Sequence, residues 1–128
     1  MAGGPSSPRR LGLALVVAGV IGTLTAQGAA GHAMLQRAEP RVESTLKRAP
    51  EELKLYFSER LEPAYSTVRV LDDHGAQVDR RDGRVDRANP AVLRATLPPL
   101  PRGTYKVEWR VLSIDADVTE GTFSFRIE

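Results

Sequence analysis

The feature that most constrains the fold of this chain is an alternation of apolar and polar residues with a period of two. In the clearest stretch, residues 105–111, the apolar side chains of Tyr105, Val107, Trp109 and Val111 alternate with charged ones. Successive side chains of a β-strand point to opposite faces of the sheet, so this pattern is typical of a strand with one buried face. A helix would instead place its apolar residues three or four positions apart. The segment is therefore predicted to be a β-strand.

The same alternation recurs along the chain, and turn residues separate the repeats. Shorter runs occupy residues 53–57, 68–70, 93–97 and 123–127, and weaker extended segments lie at 34–39 and 77–85. Turn sequences lie between these runs: Asp72-Asp73-His74-Gly75, Arg81-Asp82-Gly83, Asn89-Pro90 and the proline-rich stretch 98–103. About seven short strands without an amphipathic helix predict an all-β fold, an immunoglobulin-like seven-stranded β-sandwich of Greek-key type.

The beginning of the chain has the features of a secretory signal peptide. Arg9 and Arg10 give a positively charged start, an apolar run covers residues 11–24, and small residues follow it. The run is shorter than the about 20 residues that a membrane-spanning helix needs, so an uncleaved anchor is the second choice. We predict that residues 1–31 are a cleaved signal peptide and that residues 32–128 form the exported domain.

Charge and cysteine content narrow the functions open to this domain. The chain has 18 Lys and Arg and 16 Asp and Glu, and two of the arginines lie in the leader, so the charges of the remainder balance. Nucleic acids and anionic lipids attract a clustered positive excess, and neither is expected as a partner. The chain has no cysteine, which excludes disulfides and thiolate metal sites. The chain ends on a predicted strand without a hydrophobic anchor, so we expect a soluble monomer.

Cleavage after Gly31 would make His32 the first residue of the exported protein. A terminal histidine can bind one metal ion through both its α-amine and its imidazole Nδ1, in a single chelate ring. Ala29 and Gly31 suit this cut, whereas a cut one residue earlier would leave Gly31 first and destroy the chelate. Because a metal must displace protons from the amine and the imidazole, its affinity is expected to fall as the pH drops.

Acidic residues supply the other candidate metal ligands. Asp115 and Asp117 lie two residues apart between the clearest strand and the last one, where both can face one cation. Glu59 lies just beyond a strand end. These residues do not have the spacing of an EF-hand loop, and each is also typical of an ordinary turn. The second histidine, His74, lies in an Asp-Asp-His-Gly turn and is interpreted as a solvated turn residue.

No arrangement of catalytic residues is evident in the sequence. It contains no nucleophile elbow, no glycine loop for phosphate and no Cys/His pair. A carboxylate pair for glycoside hydrolysis is open on sequence grounds, but nothing favours one. We therefore predict that the protein is not an enzyme.

Several elements, taken in order, resemble the CopC family of periplasmic copper-resistance proteins. The resemblance begins at His32-Ala33 and covers nearly the whole exported domain. Its most specific elements are Leu55-Tyr56-Phe57-Ser58-Glu59, Gly103-Thr104-Tyr105-Lys106-Val107-Glu108-Trp109-Arg110-Val111 and Gly121-Thr122-Phe123-Ser124-Phe125. The resemblance implies a seven-stranded β-sandwich that carries or buffers copper in the periplasm, beside an inner-membrane partner of the CopD type.

The resemblance also implies a Cu(II) site with a departure from the family pattern. The family ligands are the N-terminal histidine and an Asp-x-His near the last hairpin. Here His32 and Asp115 match the first two, Glu59 matches a nearby acidic residue, and Asp117 replaces the second histidine. Cu(II) favours nitrogen-rich tetragonal sites, so two nitrogens with two carboxylate oxygens are expected to bind it more weakly. Met34 is the only methionine after the leader, which argues against a thioether Cu(I) site.

Three hypotheses follow from these residues. The first is a Cu(II) carrier or buffer in copper resistance or homeostasis, with the metal at His32, Asp115 and Asp117 and with Glu59 nearby. The second is a CopC-like interaction module with a degenerate metal site, which docks to a membrane copper-transport partner. The third is a copper monooxygenase, which needs a second histidine in its metal site, and only His74 is available. The first is our prediction.

Overall fold

The computed structural model describes residues 32–128. The predicted signal peptide, residues 1–31, lies outside the described residues. No helix within the described range is long and apolar enough to cross a membrane. The range contains eight strands and one short 3₁₀-helix: β1 (Leu35–Glu39), β2 (Ser44–Leu46), β3 (Glu52–Phe57), the 3₁₀-helix (Pro63–Tyr65), β4 (Thr67–Leu71), β5 (Arg84–Val85), β6 (Val92–Thr96), β7 (Gly103–Leu112) and β8 (Val118–Ile127).

The strands form two four-stranded sheets, in the orders β1-β3-β6-β5 and β2-β8-β7-β4. Neighbouring strands are antiparallel except for β2, which pairs with β8 in parallel. Because β1 and β2 belong to different sheets, the chain crosses from one sheet to the other near the start of the domain. The predicted β-sandwich is confirmed.

The alternation that predicted the strands also decides which side chains form the core. In β7, Tyr105, Val107 and Val111 are buried between the sheets. Leu55 of β3 and Phe125 of β8 are almost completely buried and belong to the same apolar cluster. Burying a side chain of this size stabilises the fold by about 1.5–3 kcal/mol. With no disulfide available, this packing is the main source of the stability of the sandwich.

Two parts of the fold differ from what the alternation predicts. The additional strand β2 has only three residues, and its order comes from parallel pairing with β8 rather than from a pattern of its own. Of the weak extended segment at 77–85, only β5 is a strand, because the buried carboxylate of Asp79 holds the rest in a bend. Asp79 accepts hydrogen bonds from the backbone N–H of Val70 (2.8 Å) and Arg81 (3.0 Å).

Candidate metal centre

The residues that follow His32 are held to the sandwich from both sheets. Beyond the end of β3, the Ser58 hydroxyl accepts a hydrogen bond from the Met34 N–H (2.8 Å) and donates one to the His32 carbonyl (3.3 Å). The Ser58 N–H donates to the Met34 carbonyl (2.9 Å). From β8, the Thr119 hydroxyl donates to the carbonyl of the fully buried Ala33 (2.8 Å). His32 therefore sits at an anchored position, not at a free end.

The turn between β7 and β8 carries the acidic candidates. The Ser113 N–H donates to the Asp117 carbonyl (2.9 Å), and the fully buried Ser113 hydroxyl accepts from the Asp117 N–H (3.3 Å). Ala116 adopts a left-handed conformation with φ of 70°, which lets the chain reverse within five residues. The turn thus fixes the backbone of Asp117, while Asp115 lies exposed at its tip.

The structure brings His32 and Asp117 together. The imidazole Nε2 lies 3.8 Å from the Asp117 Oδ1, and the two side chains are 43% and 37% exposed. A water-accessible imidazole beside a carboxylate is a common start for a metal site, because both groups are ligands of divalent ions. Of the residues proposed from the sequence as ligands, these two are therefore close together in the fold.

The other two predicted ligands lie near this pair without touching it. Glu59 is half-buried in the bend after β3, next to Ser58, and Asp115 is two residues from Asp117. Within residues 32–128, no three His, Asp or Glu side chains are close enough together to hold a metal ion. A complete site would therefore need a donor that is not a side chain, such as the α-amine of His32, or a movement of Asp115.

The second histidine is remote from this centre. His74 lies in the turn after β4, and its side chain is 81% exposed. The turn is built by Asp72, whose carboxylate accepts the N–H groups of Ala76 and His74 (both 2.9 Å). These backbone hydrogen bonds hold the pKa of Asp72 below its usual value. Leu71 pairs with Lys106 near the start of β7, so His74 lies at the opposite end of the sandwich from the β7–β8 turn.

Sequence reasoning did not identify the residues that hold the site. Ser58 lies in the Phe-Ser-Glu element and Ser113 in the acidic segment, but nothing in either stretch indicated a hydrogen-bonding role.

The structure also packs Trp109, the only tryptophan of the chain, edge-to-face on Phe57 (5.1 Å between ring centres). The indole of Trp109 lies over Gly121, its pairing partner on β8. Along β8, Gly121 is two residues from Thr119. The fluorescence of Trp109 is therefore a reporter close to the candidate site.

Comparison with known proteins decides the family. The model of the CopC domain matches residues 35–128. The chain belongs to the CopC family. Its relatives include Copper resistance protein C of Pseudomonas syringae pv. tomato, which is 28% identical over 113 residues, 84% of this chain and 89% of that protein. The Copper transport protein CutJ of Bacillus subtilis (strain 168) is 28% identical over 75% of this chain, but the chain spans only 18% of the length of that relative.

Solved structures show the same fold. The crystal structure of CopC from Methylosinus trichosporium OB3b has a TM-score of 0.71 and 33% identity, and the match covers 76% of this chain and 94% of that one. PcoC, a methionine-rich copper resistance protein from Escherichia coli, gives a TM-score of 0.65 at 29% identity, over 76% of this chain and 99% of its own. This chain is not rich in methionine, since Met34 is the only methionine after residue 1.

Proposed function

We propose that the protein is a Cu(II) carrier or buffer of the periplasm, acting in copper resistance or homeostasis. The observation that carries the proposal is the approach of His32 to Asp117, at 3.8 Å, within a CopC-family sandwich. The names of the relatives support copper as the metal, since several are copper resistance or copper transport proteins. The role requires no catalytic group, only a site that binds and releases the ion.

The proposed site has two nitrogens and two oxygens. The α-amine and Nδ1 of His32 form the chelate once His32 is the first residue, and Asp117 and Asp115 supply carboxylate oxygens. In the structure Nε2, not Nδ1, faces Asp117. Because the His32 side chain is 43% exposed and lies outside the core, it can turn about its side-chain bonds to present Nδ1. Glu59 lies outside this set and contributes negative charge that attracts the cation.

The candidate site is exposed to solvent, which allows the bound ion to be exchanged. The side chains of His32 and Asp117 are both more than a third exposed, so a second protein can reach the metal without unfolding the carrier. We propose that the soluble monomer passes copper to or from an inner-membrane protein of the CopD type. The Bacillus subtilis relative, a copper transport protein much longer than this chain, supports such a coupling.

Titration with Cu(II) tests the proposal. A protein that begins at His32 is expected to bind one equivalent saturably, with an electron paramagnetic resonance spectrum of mixed nitrogen and oxygen ligation. Asp115→Ala and Asp117→Ala should each weaken binding. His74→Ala, which changes the remote histidine, is the matched control and should leave the affinity unchanged.

A second function is favoured by one observation. Within the described residues no cluster of three metal-ligating side chains is formed, which agrees with the inference, drawn from the family resemblance, that Asp117 replaces a histidine. A protein with this arrangement can serve as an interaction module that docks to a membrane copper-transport partner without holding copper itself. The absence of saturable Cu(II) binding to the His32-first protein would select this module over the carrier.

A further inference from the structure

Residues 32–34, which would start the exported protein after cleavage behind Gly31, are anchored to the sandwich by hydrogen bonds. Terminal residues generally fray unless something ties them down. Here the three residues 32–34 take part in four hydrogen bonds, three with Ser58 and one with Thr119. The side chain of Ala33 is fully buried between these two contacts. Backbone freedom next to His32 is therefore removed before any ligand arrives.

The two anchoring residues come from different sheets. Ser58 follows β3 of one sheet, and Thr119 is the second residue of β8 in the other. Thr119 lies two residues beyond Asp117. The strand that binds the Ala33 carbonyl, β8, therefore begins directly after the acidic turn. The short segment from Asp117 to Thr119 thus fixes the distance between His32 and the candidate carboxylates.

We propose that Ser58 and Thr119 are positioning residues of the metal site, a role that rests on the proposed function. Their hydroxyl groups form hydrogen bonds with backbone atoms of residues 32–34 and do not use the imidazole of His32. Residues that orient a ligand in this way pre-organise a site, and their loss typically costs roughly tenfold to a hundredfold in metal affinity. The specific hydroxyl groups, rather than the bulk of the side chains, carry the effect.

Four variants of the His32-first protein test the proposal. Ser58→Ala and Thr119→Val remove the hydroxyl groups with little change of volume, and each is expected to weaken Cu(II) binding by roughly tenfold or more. Ser58→Thr and Thr119→Ser keep a hydroxyl and should restore most of the affinity. The matched controls are Ser124→Ala and Thr122→Val on β8, away from residues 32–34, and they should bind like the parent. Affinity is measured by competition with a chelator, under conditions in which urea titration shows each variant to be fully folded.

A double-mutant cycle separates positioning from a general structural role. In a protein whose His32 amine is acetylated, the amine-imidazole chelate is absent, so Ser58→Ala should no longer change the Cu(II) affinity, although it should lower the urea midpoint as it does in the unmodified protein. If Ser58→Ala and Thr119→Val bind copper as tightly as the parent, the positioning role is wrong while the carrier function stands. If the parent itself shows no saturable binding, the carrier function fails, and the positioning role fails with it.

Discussion

The imidazole Nε2 of His32 and the Oδ1 of Asp117 lie 3.8 Å apart, although the two residues stand at opposite ends of the described chain. The contact arises because β1 starts beside the turn that joins β7 to β8. β1 belongs to one sheet and β7 and β8 to the other. A metal ion held by both residues would therefore connect the two layers of the sandwich.

Substitution of Asp117 should change copper affinity in both directions. Removing the carboxylate in Asp117→Ala is expected to weaken Cu(II) binding about tenfold, which corresponds to about 1.4 kcal/mol. Asp117→His introduces a nitrogen donor at this position and should tighten binding, because Cu(II) favours nitrogen-rich sites. Calorimetric titration measures both. Equal affinities for parent, Ala and His variants would show that Asp117 is not a ligand.

Replacement of Gly121 should disturb the packing of Trp109. A Cβ atom at residue 121 would lie 2.6 Å from Cζ2 of the indole, well inside van der Waals contact. Trp109 is itself packed against Phe57, so it cannot simply swing away. We expect Gly121→Ala to lower the free energy of unfolding by about 1–3 kcal/mol, as overpacking does, and to shift the tryptophan emission. Thr122→Ala, at the exposed neighbouring position, is the control, and an unchanged urea midpoint for Gly121→Ala would refute the prediction.

Loss of the buried carboxylate of Asp79 should weaken the link between β4 and the segment that follows it. Asp79 accepts hydrogen bonds from Val70 N–H, Gln77 Nε2 and Arg81 N–H. Asp79→Ala leaves the buried donor of Val70 without a partner, which costs about 1–3 kcal/mol. Urea unfolding measures the loss. Asp79→Asn keeps one acceptor oxygen and should be less destabilising than Asp79→Ala, and the reverse order would contradict this explanation.

Acid should destabilise the fold through Asp86. The Arg94 guanidinium donates to the Asp86 carboxylate (2.6 Å), and this hydrogen bond, with a further one from the Asn89 N–H, lowers the pKa of Asp86. A carboxyl whose pKa is lower in the folded than in the unfolded state stabilises the fold above its unfolded pKa. That contribution is lost as the pH falls through the folded pKa, which means below about pH 4.

Measurement of unfolding between neutral and acidic pH checks this sign. Asp86→Asn should flatten the fall in the free energy of unfolding below about pH 4, because it removes one of the titrating groups. Asp73→Asn, in the exposed turn beside His74, is the comparison and should leave the curve close to that of the parent. A parent and an Asp86→Asn variant with the same acid dependence would rule out this contribution.

The strands could be predicted from the sequence because their pattern is local. Residues 105–111 and 123–127 alternate strictly, and both lie in long strands with one buried face. By contrast, β2 owes its order to pairing with β8, and the bend around Asp79 depends on a hydrogen bond that its carboxylate accepts from the Val70 N–H of β4. Neither relationship produces an alternation of apolar and polar residues in the sequence.

The candidate site could be predicted only as a set of residue types. His32, Asp115 and Asp117 are visible in the sequence as candidate ligand types, but the 3.8 Å approach of His32 to Asp117 depends on strand order. The roles of Ser58 and Thr119 are hidden, because a serine after a strand and a threonine within one are ordinary residues. Their importance comes from backbone contacts with residues far away in the sequence.

The dependence of copper binding on the α-amine of the first residue tests the central claim most directly. Two forms of the protein that begins at His32 are compared, one with a free α-amine and one whose α-amine is acetylated, and each is titrated with Cu(II) while the emission of Trp109 is followed. The protein with a free amine should bind one equivalent and lose emission on binding, and acetylation should weaken binding by at least about tenfold, because it removes the amine donor of the amine-imidazole chelate. Equal affinities for the two forms would contradict the assignment of His32 as the chelating ligand.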